Sequence, residues 1–255
     1  ELAQLVGLAR EHGIPTVFWN KEDGVHFERF VESAALFDVV FTVDELCVPR
    51  YKEHMGESAS VHPLMFAVQP GIHRPGRHAP NRRRASFVGS YSRHVHEKRR
   101  HWQDMMFRAA APLGITAFDR NSSRSSGNYR FPSMPWLQVR SQVSHDRTSD
   151  IYREYLLSLN VNTVDDSPTM FSRRLVEIIA CGGLAVTNPS PAVSRFFSEY
   201  CEVVHAEPEC RNLFQRVARD GLRQRDRDRA LAGAEYVLRE HTWSRRIEQV
   251  LQVIA

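Results

Sequence analysis

The stretch from Asn160 to Pro189 constrains the fold more than any other part of the chain. It reads N-V-N-T-V-D-D-S-P-T-M-F-S-R-R-L-V-E-I-I-A-C-G-G-L-A-V-T-N-P, which predicts a strand, a loop, a helix over 169–181 and a second strand at 184–186. Ser167 can cap the free amides at the helix start, and Pro168 suits a first helical position. Two glycines end the helix, and the short apolar run after them is typical of a buried parallel strand.

Glu177 is the one carboxylate in this helix, and side-chain packing alone would not place it there. The residues around it, 175–181, are apolar on nearly every side, so the carboxylate needs partners. Arg173 and Arg174 lie on the same helix surface, and either can pair with it. One interpretation is a structural ion pair. The other is that Glu177 accepts hydrogen bonds from the hydroxyls of a ligand whose phosphates face the amides at 167–170.

The rest of the chain alternates strands and helices in two blocks. Strands are expected at 16–19, 38–42, 60–65, 85–88, 115–118 and 201–204. The prolines at 69–84 indicate a linker. We therefore predict an α/β protein with two Rossmann-like, doubly wound parallel-sheet domains. These are an apparently truncated N-terminal domain at 1–75, a linker at 76–84 and a C-terminal domain at 85–255 with a helical end.

Polar residues follow several of the expected strand ends, where parallel sheets bind ligands. One such loop spans 20–26, and another is the turn at 89–93, which precedes a basic helix at 96–113. Exposed amides and cations there suit a diphosphate, with Arg93, Lys98 and Arg99 as candidate groups, although a solvated charged helix explains the same residues. We expect a long irregular loop at 121–145 and then a helix at 146–157.

Four stretches of the chain carry a family resemblance. The two most specific are S-P-T-M-F-S-R-R-L-V-E-I-I-A-C-G-G at 167–183 and W-N-K-E-D-G-V-H-F-E-R-F at 19–30. The others are F-V-G-S at 87–90 and E-H-T-W-S-R-R-I-E-Q-V-L at 240–251. Together they resemble the group 1 glycosyltransferases with the GT-B fold, and most closely the branch related to spore maturation protein CgeB. This resemblance spans nearly the whole chain and implies two domains that face each other across a cleft.

The resemblance implies a glycosyltransferase that moves a sugar from a nucleotide-diphosphate sugar, with a UDP-sugar favoured, to a glycan or cell-envelope hydroxyl. Neither a metal ion nor a cofactor is expected. In the family, the glutamate at the position of Glu177 binds the ribose of the donor. A second glutamate usually stands eight residues earlier and contacts the sugar, and here that position is Thr169. The family's usual stereochemistry would retain the anomeric configuration.

Two groups of residues are expected to form the site. The donor group would bind the diphosphate and the ribose, and it consists of Gly89, Ser90, Arg93, Lys98, Ser167, Pro168, Thr169, Met170, Arg173, Arg174 and Glu177. The catalytic group would face the sugar from the other domain, one member acting on the acceptor hydroxyl, and it consists of Glu22, Asp23 and His26. A polar turn with helix-capping carboxylates also explains the second group.

Charge and cysteine content bear on partners and location. The net charge of +4 fits anionic ligands, an anionic membrane surface or nucleic acid. The arginines at 223–229 lack interleaved aromatic residues, which argues against nucleic acid. Four cysteines without C-x-x-C spacing indicate reduced thiols in a cytoplasmic protein. Any association with a membrane is expected to be a peripheral contact with an anionic surface. The histidines show no metal-ligand spacing.

Three classes of function stay open at this stage. Both a glycosyltransferase and a non-catalytic fragment that binds a nucleotide-sugar or a glycan would be stabilised by nucleotide. Only the enzyme would release nucleotide diphosphate in the presence of an acceptor. A nucleic-acid-binding protein would instead bind with a steep salt dependence and ignore uridine diphosphate.

Overall fold

The computed structural model describes all 255 residues, Glu1–Ala255, and contains two parallel sheets. The strands are β1 (Val17–Asn20), β2 (Val39–Thr42), β3 (Ser60–Pro63), β4 (Arg82–Gly89), β5 (Ile115–Asp119), β6 (Leu137–Ser141), β7 (Tyr155–Asn160), β8 (Ala185–Thr187) and β9 (Glu202–Val203). The helices are α1 (Leu2–Glu11), α2 (Phe27–Ala34), α3 (Cys47–Met55), α4 (Glu97–Ala109), α5 (Thr148–Glu154), α6 (Arg173–Ala180), α7 (Pro191–Phe196), α8 (Glu207–Asp220), α9 (Gln224–Glu240) and α10 (Trp243–Ile254).

The N-terminal sheet has three parallel strands in the order β1-β2-β3. Helices α2 and α3 cover one face, where Val31 and Tyr51 pack against Val40. The other face, around Phe41, is covered by α10 through Val250 and neighbouring apolar residues. The last helix of the chain therefore completes the core of the first domain.

The second sheet has six parallel strands in the order β6-β5-β4-β7-β8-β9. Helices α4 and α8 contribute to the core on one face, and α6 and α9 contribute to the core on the other. The strand order reverses between β4 and β7, so this sheet is doubly wound. The crevice at the carboxyl ends of these two strands is where such sheets bind ligands. The predicted α/β fold with parallel sheets is thus confirmed.

The helix predicted over 169–181 begins four residues later, at Arg173. The hydroxyl of Ser167 does accept hydrogen bonds from backbone amides, those of Thr169 at 3.3 Å and Met170 at 2.9 Å. These bonds close a separate turn before the helix, and Ser172 is the residue that precedes α6. The capping pattern was therefore real, but it belongs to a turn and not to the helix.

Three other predicted boundaries were wrong. The stretch expected to be irregular contains β6, an edge strand with mostly exposed side chains and hence no alternating apolar pattern. Helix α5 ends at Glu154, and the apolar run after it is the buried central strand β7. A short apolar run fits a buried strand and a buried helix equally well in sequence. Strand β4 begins at Arg82, inside the predicted linker.

Two crossings of the chain join the sheets side by side. The amide of Val68 donates to the carbonyl of His241 at 2.8 Å, and the amide of Trp243 donates to the carbonyl of Val68 at 3.2 Å. Arg246 is only 2% exposed and donates Nε to the carbonyl of Met65 at 2.7 Å. We call residues 65–68 and 241–246 the junction.

Two further features concern partners and thiols. None of the helices combines the length and the apolar character that crossing a bilayer requires. All four cysteines are buried free thiols. Burial raises the pKa of Cys181 to about 12, which keeps that thiol protonated and unreactive.

Candidate functional site

A cavity of about 760 Å³ lies between the two sheets. Its walls come from loops that follow the carboxyl ends of β1, β4, β5, β6 and β7, together with the start of α6. The N-terminal side contributes Lys21, Glu22 and His26, and Phe66 of the junction also lines the cavity. This is the crevice expected from the strand order. The predicted loop at 20–26 lines it, whereas no residue of the predicted turn at 89–93 does.

Three arginines of the second domain line this cavity: Arg99, Arg120 and Arg174. None of them forms a salt bridge, and Nε of Arg99 and Nη1 of Arg174 are buried without any hydrogen-bond partner. Burial, followed by the charges of Arg174 and Arg120, lowers the pKa of Arg99 to about 10. Buried donors of this kind are costly unless an acceptor is supplied, and an anion supplies the strongest one.

Gly89 and Phe87 shape the position of the Arg174 side chain. The guanidinium lies over the Phe87 ring at 4.7 Å from its centroid. A Cβ atom at Gly89 would lie 2.7 Å from Nη2 of Arg174, so only glycine leaves room for it. The structure shows this part of Gly89 in positioning Arg174, and direct contact of Gly89 with a donor stays a prediction.

Glu177 is 5% exposed and lines the cavity. Arg173 Nε lies 2.9 Å from Oε1 of Glu177, and His145 Nδ1 lies 3.8 Å from the same oxygen. Burial raises the pKa of Glu177, and the charges of Arg173 and His145 oppose that change. The ion pair of the first interpretation is present. Because Oε2 has no ion-pair partner, it can still accept hydrogen bonds from a ligand, and that interpretation stays a prediction.

The first turn of α6 points backbone donors toward the same place. The first amides of any helix lack partners within it. The amide of Ser172 donates to Oδ1 of Asn162 at 2.8 Å, which leaves those of Arg173 and Arg174 for a ligand. The positive end of the helix dipole adds to their attraction for an anion.

Ser167, Pro168 and Thr169 do not line the cavity as predicted. The Ser167 hydroxyl donates to Oδ1 of Asp44 at 2.6 Å. The Thr169 hydroxyl donates to the carbonyl of Val43 at 3.1 Å and accepts from the amide of residue 45 at 2.9 Å. We call residues 43–45 and 167–169 the latch, since they join the two domains. Among the predicted residues 167–170, only Met170 lines the cavity.

Ser90, Arg93 and Lys98 also lie outside the cavity lining, and their contact with phosphate stays a prediction. Lys98 is 72% exposed and pairs with Asp165 at 2.6 Å. The carbonyl of Ser90 accepts from Arg99 Nη2 at 3.1 Å. Successive helix positions point about 100° apart, so Arg99 reaches the cavity while Lys98 reaches solvent. Both were candidates in sequence, and only the helix register separates them.

The three predicted catalytic residues have different positions. Glu22 and His26 line the cavity. Asp23 is fully buried and accepts hydrogen bonds from Asn20 Nδ2 at 2.6 Å and Tyr51 Oη at 3.1 Å. Burial raises the pKa of Asp23 to about 6. Asp23 therefore lies behind the loop and cannot contact a bound sugar.

One group of side chains could bind a metal ion, and no motif in the sequence predicts it. The ligand atoms of His73, His145 and Glu177 lie within 4.8 Å of one another. These residues are far apart in the chain, so their spacing cannot reveal the group. The guanidinium of Arg173 already pairs with Glu177, and its positive charge opposes a cation there.

Comparison with known proteins gives a family and a fold. Residues 77–252, more than half of the chain, match the family described as "Glycosyl transferase-like". No curated protein matches the sequence.

Several solved structures are similar to the chain. The crystal structure of TarM has a TM-score of 0.62 at 10% identity and covers 94% of this chain and 50% of its own. Sucrose-phosphate synthase from Thermosynechococcus elongatus has a TM-score of 0.63 at 12% identity. The match covers 98% of this chain and 70% of the synthase chain. Anabaena HepE in complex with UDP and glucose has a TM-score of 0.61 at 12% identity. The match covers 99% of this chain and 75% of the HepE chain.

The chain therefore spans about half the length of TarM. At such identities the structural likeness shows the fold alone. The parallel sheets, the cavity between them and the family match converge on one conclusion: the chain belongs to the glycosyl transferase-like family and has a GT-B-like fold.

Proposed function

We propose that the protein transfers a sugar from a nucleotide-diphosphate sugar, preferably a UDP-sugar, to a hydroxyl of a glycan or cell-envelope acceptor. The observation that carries this proposal is the set of unpaired guanidinium groups in the cavity beside a helix start. Such a site is built for an anion of high charge. HepE, a structural neighbour, was solved with UDP and glucose, which supports a nucleotide diphosphate as that anion.

In the proposed complex the diphosphate binds Arg99, Arg120, Arg174 and the first amides of α6. Transfer places negative charge on the leaving diphosphate, and fixed cations and amide dipoles stabilise that charge without a metal ion. Glu177 lies about one helical turn further along, where its free Oε2 can accept hydrogen bonds from the ribose hydroxyls. A carboxylate acceptor at that position selects a nucleotide with an intact ribose diol.

Glu22 and His26 face the sugar from the N-terminal domain, and we assign one of them to the acceptor proton. Asp23 has a positioning role in this proposal. Its carboxylate holds Asn20 Nδ2, while Asn20 Oδ1 accepts the amide of Glu22 at 3.0 Å. The loop that carries Glu22 is thereby fixed to buried groups. Retention of the anomeric configuration and membership of the CgeB-like branch are part of the same proposal.

The test is a thermal-shift panel of UDP-, GDP-, dTDP- and ADP-sugars on the wild type and Glu177→Gln. At a donor concentration about 100 times Kd, wild type gains about 2.7 kcal/mol. Loss of hydrogen bonds to a charged acceptor lowers the variant's affinity by about tenfold. Glu207→Gln is the matched control, because Glu207 pairs with Arg211 four residues later, outside the cavity.

If Glu177→Gln binds the donor as tightly as wild type does, Glu177 does not bind the ribose and its only role is the structural ion pair with Arg173. A second assay separates the enzyme from a non-catalytic binder with the same cavity. The enzyme releases UDP faster when an acceptor is added, whereas a binding fragment is stabilised by the donor and releases none.

A further inference from the structure

The region from Arg93 to Arg140 holds all of the chain's excess positive charge. It contains nine Lys and Arg against three Asp and Glu, a net charge of +6, whereas the whole chain carries +4. Only part of this charge lines the cavity, through Arg99 and Arg120. Arg100 and Arg108 pair with carboxylates. The other arginines need another explanation, since crowded like charges destabilise a protein unless something opposes them.

Three of them form a contiguous cluster around Tyr129, and we call Arg93, Arg124 and Arg130 the arginine rim. The amide of Arg93 donates to the carbonyl of Asn128 at 2.9 Å, and its Nε lies 3.4 Å from the carbonyl of Arg130. The guanidinium of Arg124 lies 4.7 Å from the centroid of the Tyr129 ring. All three arginines are exposed, and none has a carboxylate partner.

The rim adjoins the opening of the cavity. His94 contacts the Tyr129 ring at a centroid distance of 5.3 Å, and two residues later His96 lines the cavity. His96 has a left-handed backbone, with φ of 56°, which is strained for a residue other than glycine. The charge of His26, across the cleft, helps to lower the pKa of His96 after burial and Arg99. A chain bound along the rim therefore reaches the place where the two domains meet.

We propose that the acceptor is a polyanion, a glycan or polyol chain that carries repeated phosphate, sulfate or carboxylate groups. The arginine rim binds these groups, and the chain's hydroxyl end enters the cavity near His26. This inference rests on the proposed function for the reaction, but the binding itself does not depend on it. Counterion release from such a chain makes the binding strong at low salt.

A polyanionic chain fits the rim better than an anionic membrane does. In the region from Arg93 to Arg140 the exposed large apolar side chains are Val95, at 43%, and Val139, at 46%. Membrane-surface segments combine cations with several apolar anchors, and the rim lacks them. The rim also borders a cavity, where a flexible chain can enter and a bilayer cannot.

The experiment measures binding of fluorescein-labelled inorganic polyphosphate to the full chain by fluorescence anisotropy at several salt concentrations. The rim variant is Arg93→Gln, Arg124→Gln and Arg130→Gln combined. The control combines Arg225→Gln, Arg239→Gln and Arg245→Gln, three exposed arginines that each pair with a carboxylate elsewhere. Both variants lose three charges. We expect about a tenfold loss of affinity and a shallower salt dependence in the rim variant only.

Two parallel measurements make the result decisive. Co-sedimentation with vesicles of phosphatidylglycerol and phosphatidylcholine tests the membrane, and UDP thermal shift tests the donor site. Equal losses in both variants, or a loss confined to vesicle binding, would overturn the proposal. Loss of the UDP shift in the rim variant would overturn it too, by placing the rim in the donor site. If UDP stabilises no form of the protein, the transfer reaction fails while polyphosphate binding still reports on the rim.

Discussion

Arg246 in the junction and Arg174 in the cavity both have buried guanidinium atoms, but the two side chains are held in opposite ways. The Arg246 guanidinium donates to carbonyls of the other domain and of its own helix region, and to His241 Nδ1 at 2.8 Å. Arg174 has a buried Nη1 with no partner and an aromatic ring beneath its guanidinium. The difference teaches that burial of a charge does not reveal its purpose. A satisfied cation holds the protein together, and an unsatisfied one indicates a missing ligand.

The largest expected effect is on stability, from Arg246→Met. This change leaves several buried carbonyls of the junction without donors, so we expect the free energy of unfolding to fall by about 3 kcal/mol. Urea unfolding measures it. Arg239→Met, at an exposed position on the preceding helix, is the control. A loss similar to the control's would mean that the junction does not depend on Arg246.

Arg174→Gln should have the opposite effect to Arg246→Met, because it should weaken ligand binding without lowering the free energy of unfolding. Removal of a buried, unpaired charge leaves the free protein as stable as wild type or more so. Loss of a charge-assisted bond to the diphosphate costs about 2 kcal/mol of binding, or about 30-fold in Kd for UDP. Titration calorimetry with UDP and urea unfolding separate the two effects. A destabilised variant with normal UDP affinity would place Arg174 in the same class as Arg246.

The pH dependence of stability should show the neutral state of His241. Burial, followed by the charge of Arg246, lowers the pKa of His241 to about 3, below the ordinary value near 6.5. The unfolded chain then binds the proton more readily than the folded chain does. The contribution of neutral His241 to the free energy of unfolding is therefore complete above pH 6.5 and declines as the pH falls toward 3. We expect a loss on the order of 1 kcal/mol by pH 5.5.

His241→Gln should flatten that part of the pH profile in unfolding measurements made from pH 7.5 to 5. His12→Gln is the control, because His12 is exposed. If the free energy of unfolding falls with pH equally steeply in the His12 and His241 variants, the pH dependence belongs to other groups.

The smallest expected effect is that of Lys98→Ala on UDP binding. Lys98 points to solvent and pairs with Asp165, so we expect the same Kd for UDP as wild type. Arg99→Gln, one residue further along α4, should weaken UDP binding measurably in the same calorimetric titration. The reverse outcome would restore the sequence-based assignment of the phosphate to Lys98.

Much of the fold could be predicted because its signals are local. Apolar runs bounded by glycine and proline placed most strands of both sheets, and the glycines at 182–183 ended α6 as expected. Glu177 was found because a carboxylate among apolar neighbours is visible in the sequence alone. β6 was missed because an exposed edge strand carries no such pattern.

The site could be predicted only in part, because its details depend on contacts between distant residues. The sequence identifies Ser167 and Thr169 as polar residues after a strand, but not that their hydroxyls bind the other domain. His73 and His145 meet beside Glu177 only through the folded chain. The choice between neighbouring cations on α4 depends on a helix register that composition does not contain.

The latch has a consequence for the binding and release of the proposed donor. Ser167 and Thr169 bond to the loop after β2 through buried hydroxyls, while the junction is where the chain crosses between the domains. Any swing of the two lobes that widens the cavity about the junction must first break these bonds. The cost is about 1 kcal/mol for the Thr169 bond and about 2 kcal/mol for the Ser167 bond to the Asp44 carboxylate. If the proposed function holds, the dwell time of a bound nucleotide then depends on two small hydroxyl groups that do not line the cavity.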